Sequence, residues 1–387
     1  MRDLTTGVSL ITERRVIELA TGLCSIASPR PHEGRIADWL AGELERAGAE
    51  VLVQQVLPER PNVLARVPGG PGPPLVLNGH IDASVHPLGW THEPTQPWIE
   101  AGRLFGGGIT DMKGGVAAMA ATVEAAVKTE LPGDLVLHAV MCHDTNGLGT
   151  KFALADGQPW SGYGICGEPT DLRIQTAHGG AVKFRAELRG RTAHISRVEE
   201  GADALLAAVA ALGELQGLSL RFEEEPRLAG LPRALIGQLE AGDAPGAVAS
   251  RATIHGDVRT VPGMTPQSVC SDVEAALSAA CPEGVGYSVR PLEHQRPFLG
   301  PEDGPLIDAL SRAHEHVHGA PPAHVTGLPT TAFVTDAADM AAFGIGSVVY
   351  GPCDWHYVPD ESVPVADLVA AARTYLATRL LLGADAA

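Results

Sequence analysis

The hydrophobic period of this chain changes twice, and that change limits its fold more than any other feature. Up to about residue 178, helical and strand signals alternate. Amphipathic stretches at 13–28 and 34–47 lead to a strand at 50–56. A buried run, Pro74-Leu-Val-Leu-Asn78, precedes an Ala-rich helix at 116–129, a strand at 135–141 and a helix at about 148–155. Such alternation predicts a layered α/β domain with helices on both sheet faces. From 179 to 292 the order becomes strand, helix, two strands, helix, strand, and residues 181–188 alternate apolar with polar. That is the split βαββαβ arrangement of a small ferredoxin-like domain with one solvated sheet face. The α/β pattern resumes at 304–318, 336–343, 346–350 and 365–382. The expected organisation is a three-layer mixed-sheet catalytic domain (1–178 and 293–387) interrupted by an inserted lid (179–292).

At 387 residues, two cores are expected rather than one. A formal net charge of −18 disfavours nucleic acid or an anionic membrane as a partner, since both repel such a surface. No run approaches the ~20 apolar residues that span a bilayer, and residues 1–16 hold no signal-type apolar segment. The six cysteines are scattered without a CxxC pair, as expected of free thiols in a reducing compartment. A cytoplasmic location is the expectation.

Chemistry-bearing residues cluster just beyond the predicted strands. His80-Ile-Asp82 follows the strand ending at Asn78, where open α/β sheets place their sites. An aspartate two residues after a histidine can fix the tautomer that meets a metal, although HxD alone is commonplace. The segment Gly106-Gly-Gly-Ile-Thr-Asp-Met-Lys-Gly-Gly115 lacks the GxxxxGK[ST] spacing of a phosphate loop. Instead it presents Asp111 at a strand-to-helix junction, where a carboxylate can bridge two divalent ions. Gly167-Glu168-Pro-Thr170 and Gly351-Pro-Cys-Asp-Trp-His356 each follow a further strand. Each acid or histidine alone fits a solvated loop; four strand ends carrying ligand types fit a metal centre better.

The order HxD, TDMKGG, GEPT and a late histidine before Pro-Asp-Glu361 resembles the zinc aminoacylases, which include acetylornithine deacetylase, succinyl-diaminopimelate desuccinylase and carboxypeptidase G. The resemblance covers nearly the whole chain, lid included. It implies two zinc ions per subunit, with Co2+ or Mn2+ as alternatives. Asp111 would bridge them, His80 and Glu168 would complete one site, and Asp144 and His356 the other. It also implies a cis Asp111–Met112 peptide bond and catalytic roles for Asp82 and His194.

One position departs from the family. Where it carries Glu-Glu, this chain reads Met141-Cys-His143-Asp144-Thr-Asn-Gly147. Asp144 keeps a ligand position with a shorter side chain. His143 takes the place of the general base, and two nearby dications would make it a weaker one or draw it in as a ligand. Hydrolysis with His143 as base or through metal-bound hydroxide alone, acyl transfer or amide formation on the same scaffold, and metal-containing binding without turnover all remain open, in that order.

On the substrate side the resemblance makes His194, in Thr192-Ala-His194, reach the partner's site in a homodimer formed through the lid. There it would polarise the scissile carbonyl. Arg259, in Asp257-Val-Arg259, would bind a substrate carboxylate. The usual lid asparagine is replaced by Gly246. Thr335-Asp336 reads either as a substrate motif or as a helix cap. Cys353 is a candidate nucleophile or pocket residue, and His314 and His318 read as surface residues. The expected activity is cleavage of the amide bond of a small N-acyl amino acid or peptide-like molecule by a two-zinc-activated water.

Overall fold

The computed structural model describes residues 4–83, 88–155, 162–354 and 356–383, the side chains of Asp144 and Thr145 excepted. The chain forms two compact units, one of residues 1–176, 298–325 and 335–387 and one of residues 177–297 and 326–334. The strands that matter here, in chain order, are β1 (Glu50–Leu57), β2 (Arg60–Val67), β3 (Gly72–His80), β4 (Gly133–Val140) and β5 (Tyr163–Cys166). They continue with β6 (Gly180–Arg189), β7 (Arg233–Ala241), β8 (Arg251–Thr260), β9 (Gly286–Gln295) and β10 (Gly346–Val349).

The first unit is built on a mixed sheet in the order β1-β2-β4-β3-β5-β10. β1, β2 and β4 run antiparallel in turn, whereas β4, β3, β5 and β10 are mutually parallel. The period of two sorts the side chains between layers. Leu75, Leu77, Leu135 and Leu137 face one core with helices Glu13–Cys24, Gly34–Ala47, Gly114–Ala126 and Val365–Leu381. Val76 and Val136 face the other, against Leu154 and Met340. Helix Gly114–Ala126 is buried nearly all round, which explains its Ala-rich composition. Its one partly exposed residue, Glu124, accepts hydrogen bonds from Arg15.

In the second unit the sheet runs β7-β8-β6-β9, all pairs antiparallel. With helices Ala204–Gln216 and Pro266–Ala280 this gives the βαββαβ topology. Val182, Phe184, Ala186 and Leu188 bury one face of β6 in the core. Thr265 starts the second helix with a capping box to Ser268. Among the described residues, no helix is long and apolar enough to cross a membrane.

Because β4, β3, β5 and β10 are adjacent and parallel, their carboxyl ends share one edge. Residues just past these ends are therefore delivered to a common place, the position at which open α/β sheets bind ligands.

Candidate metal centre

His80 ends β3, His143 lies three residues beyond β4, and Glu168 lies two beyond β5. All three are buried, and one ligand atom from each lies within 4.8 Å of the other two. His80 Nε2 is 3.5 Å and His143 Nε2 3.7 Å from Glu168 Oε1. The two imidazoles stack, with centroids 4.7 Å apart and planes 6° from parallel. Asp111 joins at the rim, its Oδ1 2.8 Å from His80 Nε2. The Asp111–Met112 peptide is cis.

Each histidine is held by its other nitrogen. His80 Nδ1 donates to the Asp82 carbonyl oxygen at 2.8 Å. The Asp82 carboxylate is farther from that nitrogen, at 3.7 Å, and accepts instead from the His143 backbone N–H at 3.2 Å. His143 Nδ1 donates to Asp336 Oδ1 at 2.8 Å, and the other Asp336 oxygen accepts from Thr150 Oγ1 at 2.6 Å. Both Nε2 atoms are thereby the ones presented to a ligand. The arrangement is the tautomer-fixing support that metal-bound histidines receive.

Backbone detail brings the loops this close. Cys142 adopts φ +58°, a left-handed turn at the end of β4 that starts the His143 segment. Gly147 has φ +65°, and a Cβ there would run into the carboxylates of Asp339 and Asp336. A Cβ on Gly351 would meet the carbonyl oxygens of Gly167 and Glu168, so the β5 and β10 loops approach only because that residue is glycine. The glycine-rich loop carrying Asp111 is fixed by Glu361, which accepts from the N–H groups of Gly108 and Thr110 and from the Thr110 hydroxyl.

The buried groups of the cluster shift one another's protonation. Burial disfavours the charged form of His143, but Asp336 and Glu168 outweigh it and push its pKa up to about 10. His80 is likewise raised well above the imidazole range by Glu168 and Asp111 against the burial cost. Burial raises Glu168 to about 8 despite the two histidines. Asp336 stays below the usual carboxylate value because the His143 charge offsets its burial. Protons here do the charge balancing that a divalent ion can do instead. Two imidazole nitrogens and a carboxylate form a donor set suited to zinc and similar ions.

Other residues singled out in the sequence stand elsewhere. His356 is not in this group; its side chain is 68% exposed, with Nε2 3.7 Å from Asp354 Oδ2. It borders a cleft of about 270 Å³ that Arg103, Thr110, Asp171 and Cys353 also line. The loop turns at Cys353, φ +58°, whose carbonyl is tied to the Asp171 N–H. The side chain of Asp144 lies outside the described residues. In the second unit His194 is exposed, and its Nδ1 accepts from the Ser196 N–H at 3.2 Å. Gly246 lies beside it, its carbonyl accepting from Ile195 N–H. Arg259 contacts both oxygens of Asp257, at 3.2 and 3.3 Å, and donates to the Ala332 carbonyl at 3.2 Å.

Three sequence expectations change. Burial and the neighbouring carboxylates raise the Cys353 thiol well above its ordinary range, which removes the thiolate a nucleophile needs. His314 is buried, not a surface residue, and bonds the Tyr350 hydroxyl at 2.7 Å while stacking on His318. Thr335-Asp336 divides its work. Thr335 Oγ1 accepts from Ala337 N–H as a cap does, and Asp336 makes no cap bond and turns to His143. Thr150 is the site residue that sequence reasoning missed, and Asp336, read only as part of a substrate motif or a cap, was not tied to His143.

Residues 76–380 match Peptidase family M20/M25/M40. Over 403 aligned residues the chain is 26% identical to N-formyl-4-amino-5-aminomethyl-2-methylpyrimidine deformylase of Bacillus subtilis, covering 92% of each protein. It is 27% identical to acetylornithine deacetylase of Edwardsiella ictaluri, over 88% of this chain and 89% of that one. Its fold is similar to that of the dipeptidase Dug1p of Saccharomyces cerevisiae, with TM-score 0.81, 15% identity and 98% of both chains covered. It is also similar to human carnosine dipeptidase 1, with TM-score 0.76, 17% identity, and 98% of this chain and 99% of that one covered. With most of its length matched, the chain belongs to peptidase family M20/M25/M40, and so to the metallohydrolases of amide bonds in small substrates.

Proposed function

We propose that this protein removes an acyl group from a small N-acyl amino acid or cleaves a related peptide-like amide, using zinc held by His80, Asp111 and Glu168. The observation that carries the reading is the buried donor set itself. Two imidazoles have their Nδ1 atoms committed and their Nε2 atoms turned toward one carboxylate. Relatives named for removing a formyl group and an acetyl group from amines support an N-acyl substrate. A fold neighbour described as a dinuclear metal-binding peptidase supports two ions per subunit, and Asp144 and His356 would help to hold the second. Cobalt or manganese would fit the same oxygen and nitrogen donors.

A divalent ion bound there supplies Lewis acidity toward the amide carbonyl and an activated water nucleophile. The chain's own residues supply the rest. Asp82 keeps His80 in one tautomer through its carbonyl and anchors the His143 backbone through its carboxylate. Glu361 holds the loop bearing Asp111. Arg259 would take a substrate carboxylate in exchange for part of its contact with Asp257. His194 would polarise the scissile carbonyl of a partner subunit. A homodimer through the lid accords with the exposed Leu206 and Val209 on helix Ala204–Gln216 and Leu235 on edge strand β7. A cytoplasmic setting accords with six cysteines that form no disulfide.

The test is a mass-spectrometric screen of N-acyl amino acids and dipeptides, with and without a metal chelator. The reading expects release of free amine that stops on chelation and returns with zinc. Turnover indifferent to chelation, or products in which acyl and amine partners are joined, would contradict it.

A further inference from the structure

His143 stands where the family's base is expected, yet its surroundings are not those of a base. We infer that His143 is a ligand of the same ion as His80 and Glu168, and that Asp336 is the residue that positions it. This rests on the metallohydrolase reading above and assigns a site composition to it.

Spacing is the first argument. Donors bound at about 2.0–2.1 Å in tetrahedral array lie about 3.3–3.4 Å from one another. His80 Nε2 and His143 Nε2 are 3.5 and 3.7 Å from Glu168 Oε1, close to that spacing, and a turn of the imidazoles out of their stack would bring all three donors onto one ion. Orientation is the second. Both Nδ1 atoms are engaged with backbone or carboxylate oxygen, which leaves the two Nε2 atoms as the ones turned to a ligand. A ligand histidine needs that support; its outer carboxylate raises the donor strength of the imidazole. Asp336 is itself held, because Thr150 donates to its second oxygen and Asn78 donates to Thr150 at 2.9 Å.

Exposure is the third argument. A general base must exchange its proton with the reacting groups and then with the leaving amine. His143 is only 6% exposed. Its remaining nitrogen faces the donor cluster, with Glu168 at 3.7 Å. The left-handed Cys142 and the Asp82 bond to the His143 N–H fix the backbone in that direction. The first ion would then have two imidazoles and a carboxylate from this chain without recourse to Asp144 or His356. One tight and one weaker ion are expected.

The decisive experiment strips the wild type with a chelator and titrates zinc against a chromophoric competitor. It is repeated on His143→Gln, His143→Cys, Asp336→Asn and His356→Ala, with folding verified by circular dichroism. The tight site should survive His356→Ala. It should weaken about 10–100-fold in Asp336→Asn, the range for an outer-shell partner, and at least about 100-fold in His143→Gln. His143→Cys should recover tight binding, and its cobalt form should gain a thiolate-to-cobalt charge-transfer band absent from wild type. Tight zinc binding undiminished in His143→Gln, or folded cobalt-loaded His143→Cys without that band, would overturn the ligand assignment while leaving the hydrolase intact. A wild type that takes up no zinc would overturn both.

Discussion

His143 Nδ1 donates to Asp336 Oδ1 at 2.8 Å across 193 residues of sequence. The bond joins the end of strand β4 to the start of helix Ala337–Ala342 and ends in a buried chain, Asn78 to Thr150 to Asp336.

Thr150 is predicted to be essential to stability. Thr150→Val would leave one Asp336 oxygen and the Asn78 amide buried without their partner, at about 1–3 kcal/mol for each lost partner. Urea unfolding at neutral pH should show a loss of about 2–4 kcal/mol, and Thr150→Ser should recover most of it. A neutral Thr150→Val would mean that the chain of bonds does not hold Asp336.

Gly147→Ala is predicted to destabilise the fold by about 1–3 kcal/mol. The residue sits at φ +65°, and the added methyl would meet Asp339 and Asp336. Because that turn brings the His143 segment against Asp336, zinc affinity should fall along with the unfolding midpoint. Unfolding and competition titrations on one sample measure both.

His138 predicts an acid limb in the stability curve. Burial lowers its pKa from 6.5 to about 4 in the fold, so the unfolded chain binds more protons between those values. Its contribution is therefore complete above about pH 6.5 and is lost as pH falls toward 4, amounting to about 3 kcal/mol. Wild type should lose stability more steeply than His138→Gln over that window. Parallel curves would remove His138 as the cause.

Metal should stabilise the protein as well as activate it. Zinc at about 100 times its dissociation constant should add about 2.7 kcal/mol to unfolding free energy. A chelated sample should unfold at lower temperature in calorimetry, and zinc should restore the difference. Identical traces would place the ion outside the folded core.

Much of this was legible in the sequence because it is local. Buried apolar runs at residues 74–78 and 135–141 mark the central strands, and the βαββαβ order marks the second unit. His80 and Glu168 could be read as ligands because they stand at the carboxyl ends of two strands of one parallel set, and Asp111 because of its glycine-rich loop. Asp336 was noticed as a possible substrate motif, but its bond to His143 was not legible, since that partner is 193 residues away. His314 looked like a surface residue on helix Pro305–His318, but it is buried and bonded to the hydroxyl of Tyr350, 36 residues away. The exposure of His356 depends on how its loop turns at Cys353, which no sequence spacing encodes. Residues 326–334 join the second unit from a segment far downstream of the βαββαβ run, where no periodicity marks them.

The central claim is tested most directly by a crystal structure of zinc-loaded protein with anomalous data at the zinc edge. The account predicts a peak about 2.0–2.1 Å from Nε2 of both His80 and His143, with a Glu168 oxygen in the same sphere. A peak held by His80 and Glu168 with His143 Nε2 beyond coordination distance would contradict it.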